Sequence, residues 1–77
     1  MFNNIARVIK ENRYKAGITQ SNMAIALGLK NGQFISNIER GRCSLPAKNI
    51  NKAAKLLKIN RKLIVDAMVE DFKESLK

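Results

Sequence analysis

The apolar residues of this chain recur three and four positions apart in short runs, and the first three runs each stop at a glycine: Gly17, Gly28 and Gly41. That spacing marks one face of an α-helix, while the alternation that marks strands is nearly absent. The chain is therefore expected to fold as a compact all-α cluster of five short helices. The first spans Asn3 to Ala16, with Phe2, Ile5, Ile9 and Arg13 inward and Gly17 in the left-handed position that ends a helix. The second spans Gln20 to Leu27, capped by Thr19, with Met23, Ala24 and Leu27 inward. After the turn Lys30-Asn31-Gly32, in which Asn31 can cap, the third runs from Gly32 to Arg40. Its inward residues are Ile35 and Ile38. The fourth begins at Pro46, a residue suited to a first turn, and runs to Leu57 with Ile50, Ala53, Ala54 and Leu57 inward. The fifth, capped by Asn60, covers Arg61 to Ser75. Leu63, Ile64, Ala67, Met68, Phe72 and Leu76 give it a broad apolar face.

A length of 77 residues implies one domain, 1–77. A chain this short buries only about 60–65% of its unfolded surface, so a second subunit would help its core. No apolar run approaches the roughly 20 residues that span a bilayer, and the charged start does not read as a signal peptide. A cytoplasmic protein is expected, with no membrane partner. Histidine is absent and cysteine is single, Cys43. These counts exclude an internal disulfide and a Cys/His metal centre, and they leave no His or Cys–His base. No enzyme, metal or cofactor is expected.

Charge is more telling. Fifteen Lys/Arg stand against six Asp/Glu, a net +9. Between Asn12 and Val65 there are eleven basic residues and one acid, Glu39. A field of one sign over a small domain attracts a polyanion. The stretch Thr19 to Gly41 gives that field a structure: two short helices joined by a glycine-containing turn, the helix-turn-helix plan. Ala24 lets the two helices approach, and Gly28 permits the turn. Ile35 and Ile38 hold the third helix on the core, so its outer face is polar and rich in amides. Asn and Gln can pair with adenine in the major groove. Gln33 and Asn37, four apart on that face, are the first candidates for base contacts. Asn31, Phe34 and Ser36 are the second.

Arg13, Gly17-Ile18-Thr19-Gln20, Met23-Ala24, Leu27-Gly28, Ile35-Ser36, Ile38-Glu39-Arg40-Gly41 and Pro46 occur in an order that resembles the lambda-repressor-like (Cro/CI, XRE-type) helix-turn-helix domains. The resemblance covers about residues 2 to 65, which would be the core of the domain. It implies a sequence-specific regulator of double-stranded DNA, a repressor acting on a palindromic operator. It also implies that Gln20 binds a backbone phosphate and that Arg13 pairs with Glu39 to tie the first helix to the third. Thr19, Lys30, Arg40, Arg42 and Lys48 are further candidates for phosphate contacts. The resemblance has two departures. The turn Leu29-Lys30-Asn31-Gly32 is one residue longer than in many members, and Asn12 stands where the family has Leu. The last helix (61–76) has more apolar residues than a small core uses, so Met68, Phe72 and Leu76 are expected at a homodimer contact. Two other readings stay open: an antitoxin-type protein whose main task is to bind a partner protein, and a basic RNA-binding protein. Only four aromatics are present, which disfavours recognition by base stacking.

Overall fold

The computed structural model describes residues 1–77. Its helices are α1 (Asn3–Ala16), α2 (Gln20–Ala26), α3 (Gly32–Glu39), α4 (Ile50–Leu57) and α5 (Arg61–Ser75), with no strand. The fourth helix differs from expectation. Pro46 is followed by one 3-10 turn, Ala47–Asn49, and the α-helix proper starts only at Ile50. The tighter turn brings Asn49 inward, where its Nδ2 donates to the Leu27 carbonyl at 3.0 Å. One of the free carbonyls at the end of α2 is thereby satisfied. The Asn49 Oδ1 is buried without a partner. Ile50, expected in the core, is only half-buried.

The core is one cluster. Ile5 and Ile9 of α1 meet Met23, Ala24 and Leu27 from α2 and its end, Ile35 and Ile38 of α3, Ala53, Ala54 and Leu57 of α4, and Ile64 and Ala67 of α5. Leu45, a loop residue, is also buried there. Asn12 sits at the core edge, where its Nδ2 donates to the Val8 carbonyl at 2.8 Å. An amide in place of an apolar side chain is tolerated there because its donor is satisfied within its own helix.

The fifth helix departs most from its sequence pattern. Of its apolar residues only Ile64 and Ala67 are buried, and Met68 is half-buried. Leu63, Phe72 and Leu76 are exposed, Phe72 by 64% and Leu76 by 70%. The inward position beyond Ala67 belongs instead to a carboxylate, Asp71, which is 3% exposed. Its Oδ1 accepts from Asn4 N at 2.9 Å and Asn4 Nδ2 at 3.0 Å, and its Oδ2 accepts from Ile5 N at 3.0 Å. The start of α1 has no side-chain cap of its own. Asp71 supplies one from the far end of the chain, placing a negative charge at the positive end of the α1 dipole. Asp71 is thus a structural acid and not part of an exposed acidic face.

Candidate nucleic-acid interface

The α2–α3 pair is held by its turn and by one close approach. Gly28, with φ 73°, turns the chain after α2, and Leu29 N donates back to the Ala24 carbonyl at 2.8 Å. Asn31 then caps α3, its Oδ1 accepting from Gln33 N at 2.9 Å. The longer turn is therefore absorbed before Asn31, and α3 begins at Gly32. A Cβ on Gly32 would lie 3.1 Å from Ser21 Oγ and 3.2 Å from Ser21 N. Gly32 is therefore a second small residue, beside Ala24, that sets how near the two helices come. The sequence pattern did not single it out for packing, because nothing local shows which residue faces Ser21.

The angle of α3 is also fixed by a buried ion pair. Arg13 Nε donates to Glu39 Oε2 at 2.6 Å and Arg13 Nη2 to Glu39 Oε1 at 3.0 Å. The two side chains are 8% and 4% exposed. Arg13 Nη1 also donates to the Ile18 carbonyl at 2.9 Å, bracing the loop before α2. The hydrogen bond to Glu39 is the main cause that raises the Arg13 pKa above its ordinary value, against the lowering effect of burial. Arg13 therefore stays charged. Its guanidinium carbon lies 4.6 Å from the centroid of the exposed Tyr14 ring, a cation–π contact.

Gln20 joins the same network, with Nε2 donating to Glu39 Oε1 at 3.1 Å. One of its two N–H hydrogens is thus committed inward, and the rest of the carboxamide remains at the surface. Thr19 caps α2 by accepting from Asn22 N at 3.0 Å. Arg13, Tyr14, Thr19, Gln20 and Ser21 line one shallow depression. Tyr14 was missed at the sequence level, since it lies on the solvent side of α1 and belongs to no motif.

On the outer face of α3, Gln33 and Phe34 are exposed while Ser36 and Asn37 are half-buried. Gln33 Nε2 donates to Asn37 Oδ1 at 3.1 Å. Asn31, Lys30, Arg40, Arg42 and Lys48 are exposed. The ion pairs of the fold are Arg13–Glu39, Lys62–Asp66 and Lys73–Glu70. Lys30, Arg40, Arg42 and Lys48 are therefore without an acidic partner. No three His, Cys, Asp or Glu side chains come together as a metal site, and no helix is long and apolar enough to cross a membrane.

No protein-family model matches the chain, and no curated protein does. Solved structures do. A point mutant of the restriction-modification controller protein C.Esp1396I is 30% identical, with 99% of this chain and 96% of that chain covered and a TM-score of 0.67. The chain belongs to the family of the restriction-modification controller proteins. The wild-type C.Esp1396I is 25% identical over 92% of this chain and 90% of that chain, with a TM-score of 0.67. The controller C.AhdI from Aeromonas hydrophila is 25% identical over 82% of this chain and 94% of that chain, with a TM-score of 0.71. The controller fold thus extends over all five helices, α5 included.

Proposed function

We propose that the protein is a sequence-specific transcriptional regulator that binds double-stranded DNA, with α3 in the major groove and the N-terminus of α2 on the backbone. The observation that carries this reading is the two-sidedness of α3. Ile35 and Ile38 are fully buried, while Gln33 on the opposite face is exposed and Ser36 and Asn37 are half-buried. A short amphipathic helix with no carboxylate on its outer face, flanked by unpaired cations, suits a groove lined with phosphates. Thr19, Gln20, Lys30, Arg40, Arg42 and Lys48 contact the backbone in this reading. Asn31 and Phe34 lie at the edge of the base-reading surface.

The protein acts as a homodimer in the cytoplasm and as a repressor. Val65, Val69, Phe72 and Leu76 form a second apolar stripe on α5, beside Met68 and separate from Ile64 and Ala67. A two-fold dimer places two α3 helices about 34 Å apart, one turn of duplex, so the operator is palindromic. The likeness to controller proteins favours genes of a restriction-modification system as the target over an antitoxin role.

The test is selection from random duplexes, followed by titration at several salt concentrations. A palindromic sequence should emerge, and log Kd should depend linearly on log salt, with a slope of about 0.9 per phosphate neutralised. A pool from which no sequence is enriched would refute the reading.

A further inference from the structure

We infer that the basic, apolar-floored trough between the C-terminal ends of α1 and α4 is a docking site for an acidic amphipathic helix of a partner protein. The trough consists of two adjoining depressions that share Lys58 and Ile59. Ile18, Leu56 and Ile59 are half-buried along its floor, so each leaves apolar surface open to water. Its rim carries Lys15, Lys55, Lys58 and Arg61, all exposed, and no acid lines it. None of these four cations has an acidic partner.

Lys58 is the informative position. Where α1, α2 and α3 end, the left-handed residue is a glycine: Gly17, Gly28 or Gly41. The end of α4 is Lys58, the one non-glycine residue with a positive φ, 56°. A side chain costs stability in that conformation, and glycine avoids the cost. The charge is not needed to complement the helix dipole, since Lys55 already stands in the last turn of α4. The strained position instead keeps a cation where the two depressions meet.

Charge and shape together choose the occupant. A duplex backbone would pair with the cations but leave Ile18, Leu56 and Ile59 wet. Lys48, a proposed backbone contact, also lies at the opposite end of α4. The trough is open along one side, whereas small-molecule sites enclose most of their ligand. An amphipathic helix lays apolar residues spaced three and four apart onto such a floor and sets its flanking carboxylates on the rim.

The experiment titrates the full chain with a labelled helical peptide that has leucine on one face and glutamate on both flanks, read by anisotropy and by NMR amide shifts. Shifts should centre on Ile18, Leu56 and Ile59. Lys58→Glu should weaken binding about tenfold or more. Lys10→Glu makes the same charge change at an exposed lysine outside the trough and should weaken it by less than about twofold. Lys58→Gly should weaken it about two- to fivefold and melt no lower than the unaltered chain, so that lost binding is not lost folding. Equal losses from Lys58→Glu and Lys10→Glu, or equal affinity for a peptide with serine in place of leucine, would reduce the effect to net charge and overturn the inference. So would an operator duplex that shifts the same trough residues. A peptide that binds only the Phe72→Glu variant would assign the trough to α5 of a second copy, which also overturns it. Each of these failures leaves the duplex-reading function proposed for α3 standing.

Discussion

Glu39 carries three hydrogen bonds from two side chains, Arg13 and Gln20, at a site almost closed to water. It joins α1, α2 and α3 through one carboxylate. Replacing it with alanine leaves the Arg13 guanidinium buried and uncompensated, a loss of about 3–5 kcal/mol. For a chain of this length that is a large share of a total near 4–12 kcal/mol. Glu39→Ala should therefore lower the urea midpoint steeply with little change in m. The double variant Arg13→Met, Glu39→Leu removes both charges and should recover most of that stability, because the pair's desolvation cost disappears with it. A double variant no more stable than the single one would show that the pair supplies net stability and not only alignment.

At the scale of elements, α3 is set against α2 by the contact between Gly32 and Ser21. Gly32→Ala gains helix propensity, about 0.5–1 kcal/mol, but its Cβ would lie 3.1 Å from Ser21 Oγ and 3.2 Å from Ser21 N, so that Ser21 must give by a few tenths of an ångström. The two effects oppose in stability and do not oppose in geometry. The melt should shift by less than about 1 kcal/mol, while affinity for the selected duplex falls severalfold; equal losses in both would contradict this. The helix ends that were legible in the sequence are those with local punctuation. Asn3–Ala16 is closed by Gly17, and Arg61–Ser75 is opened by Asn60. What was not legible depends on residues distant along the chain. Nothing near Asp71 shows that it caps a helix 67 positions earlier, and nothing near Asn49 shows that it serves the end of α2. Periodicity also gives α5 one broad apolar face without saying which part of it the core uses. In the site, the amide-rich face of α3 could be read from residue types, but the bond between Gln33 and Asn37 and the commitment of Gln20 to Glu39 needed coordinates.

For the whole molecule, the exposed apolar residues of α5 are where the proposed dimer would meet. Phe72 is 64% exposed, and covering an aromatic of that size is worth about 1.5–3 kcal/mol. Phe72→Glu should raise the dimer dissociation constant at least about tenfold in sedimentation equilibrium. It should also weaken operator binding, since a monomer engages one half-site. An unchanged dimer would exclude α5 as the interface. The variant should keep its fold, because Phe72 is not part of the buried cluster. The inward neighbour of Phe72 has a different reach. Asp71 closes the first turn of α1 from 67 positions away. Since α1 also carries Arg13, which holds Glu39 of α3, a backbone cut between α4 and Asp71 would loosen the start of the very helix that braces α3.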